Sequence, residues 1–283
     1  MDARAGALRY CDSPAELDAT RQDTLFRFAA VIKTALDDSG HGLALIARAG
    51  FDLSRFDMRY SHAGVSLRAS PNGPWSVRQL YFDCDQKKPR VFDQGMSGFV
   101  TGTGNPDLGY VSLLLLPAAA AAPLERAVLD NPRAVRLVGP AYSANAYPFE
   151  VRYQNCNQWV AEMLAVAWGG LADTPGLRTD AQRWLQEQRY EPASFEVGNP
   201  LLMWLGGTLP WLHSDDHPRA DLDAQRFRVS MPASIEDFVR ARLPEATRIQ
   251  FCHAERRVVV RRGWVPIAEG CVAEAGDTVV ALD

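Results

Sequence analysis

The pattern of apolar positions is most regular over residues 156–168, which are predicted to form a helix. Five apolar residues recur there at a spacing of three or four positions and share one face: Trp159, Val160, Met163, Leu164 and Ala167. Two glycines follow and are predicted to end the helix, because glycine readily adopts the positive φ of a helix C-cap. A second helix is predicted over 14–36, where Ser13 and Glu16 match a capping box.

Alternating polar and apolar residues predict two β-strands, 60–68 and 75–83, joined by a segment rich in turn residues. The two strands are expected to form a hairpin. Counting outward from the turn places His62 roughly opposite the end of the second strand. His62, Tyr81 and Asp83 are therefore expected to lie on one face of this hairpin.

The remaining pattern predicts a mixed α+β fold. Apolar runs predict buried strands at 43–47 and 110–116, and the glycine-rich segment 94–105 is expected to be a loop. Short strands and one helix follow residue 226, and they indicate either a compact subdomain or an extension of the main sheet. The predicted domains are an N-terminal helical segment, a core and a C-terminal β-rich subdomain: 1–40, 41–218 and 219–283.

Composition narrows the range of partners. The chain has 283 residues, of which 47% are hydrophobic and 23% charged, as is typical of globular proteins. A net charge of -4 gives no electrostatic reason to expect a nucleic-acid partner. No integral membrane segment is expected, because the longest apolar run, 111–122, is short and contains Pro117. The oligomeric state is left open.

The five cysteines have no CxxC spacing, so no structural zinc site is predicted. Metal ions and other cofactors are not expected. One economical arrangement is two disulfides, Cys252–Cys271 and Cys11–Cys84, which leaves Cys156 free. Such pairing would indicate export to an oxidising compartment, although residues 1–6 lack the apolar core of a signal peptide.

Cys156 falls in the first turn of the predicted helix at 156–168. Unpaired backbone N–H groups and the helix dipole favour a negative charge at that position, so a thiol there loses its proton more readily. The same N–H groups can receive the oxyanion of an attacked carbonyl. The alternative is that Cys156 is a small buried hydrophobic residue.

A cysteine nucleophile needs a base, and a third group orients that base. The chain order of His62, a polar residue and Cys156 resembles that of the circularly permuted NlpC-type papain-like superfamily, which includes lecithin retinol acyltransferase. The motifs that carry the resemblance are HAGV at 62–65 and NCNQWV at 155–160, and it covers about 43–169. It implies an antiparallel sheet packed on the helix that begins at Cys156. It also implies that Cys156 is the nucleophile and His62 the base.

The third catalytic residue is predicted to be Asp83, because a carboxylate can orient an imidazole and stabilise its cation. The third residue of the superfamily that the chain resembles is commonly a histidine, but no histidine lies in 75–85. Tyr81 and Gln79 are the next candidates after Asp83. The residues predicted to bind substrate are Tyr81, Gln79, Asn155, Asn157 and Trp159.

The resemblance implies a thiol-dependent hydrolase (amidase or peptidase) or acyltransferase that acts on small-molecule, peptide or lipid-acyl substrates. The whole chain also resembles an uncharacterised family of exported bacterial proteins, which implies the periplasm. One alternative is a non-catalytic envelope module that binds a peptide, glycan or lipid in a cleft rimmed by Trp159, Tyr81 and Trp211. Another is a structural or secretion-associated protein recognised through residues 226–283.

Overall fold

A large antiparallel sheet forms the centre of the protein in the computed structural model, which describes residues 17–198, 209 and 211–282. Together with two small sheets it contains β1 Leu43–Arg48, β2 His62–Leu67, β3 Ser76–Asp83, β4 Lys88–Gln94, β5 Gly109–Leu115, β6 Ala141–Tyr142, β7 Tyr153–Gln154, β8 Ala193–Glu196, β9 Arg226–Val229, β10 Thr247–Ala254, β11 Arg257–Arg262 and β12 Thr278–Ala281. The eight strands of the large sheet follow the order β12-β11-β10-β5-β1-β2-β3-β4. The short pairs are β6 with β7 and β8 with β9.

The described residues form eight α-helices. They are α1 Ala19–Asp38, α2 Met96–Thr101, α3 Ala118–Leu129, α4 Asn131–Arg136, α5 Cys156–Gly169, α6 Leu177–Glu187, α7 Arg219–Asp223 and α8 Pro232–Arg242. The side chain of Asp18 caps α1 by accepting the backbone N–H of Arg21, whereas the predicted cap, Ser13, lies outside the described residues. Helix α5 ends at Gly170, whose φ of 56° is the left-handed conformation expected there.

Helices cover both faces of the large sheet and create two hydrophobic cores. Helix α5 packs on one face, where the core contains Trp159 together with Val65 of β2. Helix α1 packs on the other face, where the core contains Phe28 together with Ile46 of β1. The fold is therefore α+β, as predicted, with an antiparallel sheet packed on the helix that begins at Cys156. The permuted chain order inferred from the resemblance remains a prediction.

The C-terminal strands belong to the large sheet. Strand β10 pairs antiparallel with β5, and β11 and β12 follow outward from it. The sequence left two alternatives for this part of the chain, a compact subdomain or an extension of the main sheet. These strands extend the main sheet. The division into three domains remains a prediction.

The glycine-rich segment 94–105 is not only a loop, because it contains the helix α2. Met96, Phe99 and Val100 are buried in the core beneath α1. Their spacing of three and four positions is helical, and burial of these side chains outweighs the low helix propensity of the surrounding glycines.

The cysteines bear on the cellular compartment, because disulfides form and persist in oxidising environments. Cys252 and Cys271 form the predicted disulfide. Cys84 is also disulfide-bonded, and its predicted partner, Cys11, lies outside the described residues. Cys156 is the free cysteine in the part of the chain that the structure covers. No helix in this part is both long enough and apolar enough to cross a bilayer.

Candidate functional site

Cys156 is the first residue of α5 and is only 6% exposed. The helix starts there because the side chain of Asn155 accepts the backbone N–H of Gln158. Burial raises the pKa of the Cys156 thiol to about 11. The positive charge of Arg48 and the backbone N–H groups of Ala63, Asn157 and Cys156 itself act in the opposite direction. The thiol is therefore neutral in the observed conformation.

His62 begins β2 and is 9% exposed. Its Nε2 lies 2.5 Å from Oε1 of Gln79, and its ring centroid lies 5.4 Å from that of Tyr81. Burial lowers the pKa of His62 to about 3; the charge of Arg48 adds to this effect and the bond to Gln79 opposes it. If Nε2 donates to the Gln79 oxygen, Nδ1 is the nitrogen that can accept a proton.

The structure brings Cys156 to the strand that carries His62, but the sulfur and the imidazole are not hydrogen-bonded. The sulfur instead interacts with Oδ1 of Asn157 at 3.6 Å, and Nδ2 of Asn157 donates to the carbonyl of Ser61. Neighbouring side chains in a strand point to opposite faces: Ala63 packs in the core of α5, whereas His62 packs near Phe99 beneath α1. The two groups are therefore neighbours through the backbone at the start of β2.

Gln79, and not Asp83, is the residue bonded to His62. Asp83 accepts backbone N–H bonds from the following turn and lies 3.3 Å from Arg90. The prediction of Asp83 is corrected because of the hairpin register. Val65 pairs with Arg78, so His62 lies nearest Gln79 and Tyr81, and Asp83 lies further along the strand.

Some of the other residues predicted to bind substrate are buried, and some reach the surface. Trp159 is 0% exposed and donates its indole N–H to the carbonyl of Ala134, so its predicted contact with substrate is corrected to a core role. Asn155 and Asn157 are buried and bonded to backbone groups, and they position the start of α5. Tyr81 is 39% exposed, so it can contact a ligand, and Trp211 is half-buried.

Arg48 also lies beside His62 and Tyr81, and the sequence did not indicate it. It ends β1, pairs with His62 across the sheet and is 6% exposed. It donates to the carbonyl of Gly102 and, at 3.4 Å, to the hydroxyl of Tyr81. The sequence signal that could have identified it is an arginine directly after the apolar run 43–47. The strand that contains this run pairs with the strand of the candidate histidine.

A buried ionic network holds the segment that leads into α5. Glu162, which follows Cys156 on α5, is completely buried and accepts bonds from four side chains: Gln154, Gln158, Arg178 and Gln182. Gln154 in turn bonds the backbone of Leu137 and Gly139. The loop before Cys156 is thereby fixed from inside the molecule.

In the described part of the chain, no group of three or more histidine, cysteine, aspartate or glutamate side chains could hold a metal ion. Asp216 and His217, in the segment rich in ligand-type residues, are buried, and Nε2 of His217 lies 2.7 Å from the carbonyl oxygen of Asn145.

Comparison with known proteins identifies a family. A family model described as "uncharacterized protein conserved in bacteria (DUF2145)" matches residues 35–239. The search of curated proteins and the search of solved structures each gave no match. The matched region is more than half of the chain and contains Arg48, His62, Gln79 and Cys156. The chain therefore belongs to the DUF2145 family of conserved bacterial proteins.

Proposed function

We propose that this protein is a thiol-dependent hydrolase (amidase or peptidase) or acyltransferase, with Cys156 as the nucleophile and His62 as the base. The observation that carries the proposal is the position of the Cys156 sulfur. It lies at the start of α5, beside the N–H groups of Ala63, Cys156 and Asn157. One of these amides belongs to the residue after His62, so the candidate base and the candidate nucleophile share one stretch of backbone.

The proposed reaction begins once the imidazole of His62 has been brought to the Cys156 sulfur. Nδ1 of His62 takes the proton of the Cys156 thiol, and the thiolate attacks the carbonyl carbon of an acyl donor. The N–H groups at the start of α5 stabilise the oxyanion. The bond to the leaving group breaks, the imidazolium protonates that group, and a thioester to Cys156 remains. Water or an acceptor then attacks the thioester, again with His62 as base.

The observed conformation is a closed resting state in this account. Both groups are buried, both are neutral, and no hydrogen bond joins them. Binding of an acyl donor therefore has to bring the imidazole to the sulfur and admit the carbonyl. Tyr81 lies at the surface beside His62, so its displacement is the shortest way to uncover the imidazole.

Gln79 takes the positioning role in place of Asp83. Its Oε1 meets Nε2 of His62, and its Nε2 donates to Oε1 of Gln94 at 2.7 Å. This relay fixes the histidine tautomer while adding no charge. Substrates are amides, peptides or lipid-acyl groups of the bacterial envelope, and the disulfides support an exported location.

Turnover of activated acyl donors tests the proposal. The wild-type chain is expected to hydrolyse p-nitrophenyl acetate, p-nitrophenyl octanoate or a peptide p-nitroanilide, and Cys156→Ala is expected to lower the rate about 10³-fold or more. Ser66→Ala is the matched control, because it removes a buried γ-oxygen from β2 that bonds only the Trp75 carbonyl. Equal rates in the wild type and Cys156→Ala for every donor would contradict the proposal.

The second candidate is a non-catalytic envelope module that uses the same surface to bind a peptide or glycan. The neutral, buried thiol favours it, since a silent cysteine needs no activation. It predicts saturable ligand binding that is unchanged in Cys156→Ala and no Cys156-dependent turnover. The acyl-donor assay therefore separates the two functions.

A further inference from the structure

Five arginines are buried in the described residues, and four of them form ion pairs. The pairs are Arg78–Asp93, Arg178–Glu162, Arg248–Glu236 and Arg261–Asp277, with nitrogen–oxygen distances of 2.6 to 3.0 Å. Arg48 is the fifth, and no carboxylate within the described part of the chain lies at ion-pairing distance from it. A buried charge is costly unless a counter-charge accompanies it.

The bonds that Arg48 makes leave one nitrogen of its guanidinium without a partner. Nη1 donates to the carbonyl of Gly102. Nη2 reaches the hydroxyl of Tyr81 at 3.4 Å, which is long for a hydrogen bond. Nε is buried and has no hydrogen-bond partner. Nε and Nη2 form the edge of the guanidinium that binds a carboxylate through two parallel bonds.

Two glycines let the backbone approach this guanidinium closely. A Cβ atom at Gly50 would lie 3.0 Å from Nη1, and one at Gly102 would lie 2.6 Å from Nη2. The ring of Phe99 is 5.4 Å away and adds a cation–π contact. Tyr81, which covers the same region, is partly exposed, so its hydroxyl can yield to a ligand.

We propose that Arg48 is the binding site for a carboxylate of the ligand, held by Nε and Nη2 on the side covered by Tyr81. The ligand is a small molecule or a peptide with a free carboxyl group. This carboxyl group lies next to the portion of the ligand that contacts β2. This inference goes beyond the proposed function and does not depend on Cys156 being a nucleophile, because a binding module would use the same site.

Carboxylate binding would also act on the candidate base. Burial is the main cause of the low pKa of His62, and the charge of Arg48 adds to it. A bound carboxylate would cancel the part that is due to Arg48. The pKa of His62 would then rise, which makes the imidazole a better proton acceptor at neutral pH.

The test is an NMR titration of the full-length wild-type protein with N-acetylglycine and with its uncharged analogue, N-acetylglycinamide, at constant ionic strength. N-acetylglycine is expected to shift the amide signals of Phe99, Gly102 and His62 in a saturable manner, and the amide is expected to leave them unchanged. Arg48→Gln should weaken binding at least tenfold, whereas Arg68→Gln, at an exposed arginine, should bind as the wild type does.

Each of the other outcomes overturns the inference. Equal shifts with the acid and the amide would show that charge is not recognised. Shifts centred on other residues would place the site elsewhere. Tenfold tighter binding of inorganic phosphate than of N-acetylglycine would replace the carboxylate with a phosphate group. The comparison of acid and amide uses only the wild type, so it decides the question even if Arg48→Gln fails to fold.

Discussion

His62→Gln is expected to slow acylation of Cys156 by about 10²- to 10⁴-fold, the usual contribution of a general base. The imidazole is the proposed acceptor of the thiol proton, and the thiol has a pKa of about 11, so little thiolate forms near pH 7 without that base. Glutamine keeps a polar side chain of similar length that can still meet Gln79. The measurement is the single-turnover release of p-nitrophenol from p-nitrophenyl acetate.

His253→Gln is the matched control for that variant. His253 is also a buried histidine of the large sheet, and burial lowers its pKa to about 4. It lies on β10 and packs on Phe28 of α1, away from α5. Its replacement should leave acylation within twofold of the wild type. Equal acylation rates in both variants would remove His62 from the mechanism.

Glu162→Ala is expected to lower the free energy of unfolding by about 3–5 kcal/mol, because it leaves a buried guanidinium without its counter-charge. Arg178 bonds both carboxylate oxygens of Glu162, and three glutamine side chains lose an acceptor at the same time. The loss should also loosen the segment before Cys156, since Gln154 is one of the three. Urea unfolding followed by circular dichroism measures the change.

Asp180→Ala provides the comparison for Glu162→Ala. Asp180 pairs with Arg183 on α6 at 3.0 Å, but both side chains are exposed. Solvent screens such a pair, so its removal should change the free energy of unfolding by less than about 1 kcal/mol. Similar losses in the two variants would mean that the buried network does not organise the start of α5.

The elements of the site were predictable, because their patterns are local. The period-2 alternation gave the hairpin of β2 and β3, and the helical spacing of apolar residues gave α5 and its end at Gly170. The disulfide Cys252–Cys271 followed from counting cysteines around a predicted hairpin. The α+β class follows from these elements.

The details of the site depend on the pairing register of the strands and on how deeply each side chain is buried. A single sequence specifies neither. Gln79 and Asp83 lie four residues apart on the same face of β3, so the partner of His62 could be identified only from the observed pairing. Trp159 is buried because α5 is covered on nearly all sides. Asn155 directly precedes a helix, and this position favours an N-cap role over the predicted contact with substrate.

Arg48 was not predicted from the sequence for a different reason. An arginine after an apolar strand usually marks the point where the chain reaches solvent. Here β1 is flanked by β2 and β5, and α2 covers this end of the sheet, so Arg48 remains buried. Among the described residues, the other buried arginines each pair with a carboxylate, and only the three-dimensional structure shows that Arg48 does not.

The most direct test of the central claim is the identity of the acylated residue. The protein is incubated with p-nitrophenyl octanoate, quenched in acid within seconds and analysed by intact-mass and peptide mass spectrometry. The account predicts one octanoyl group on Cys156 of the wild type, and none there in Cys156→Ala. An unmodified Cys156 while p-nitrophenol is released, or acylation of another residue at the same rate, would contradict it.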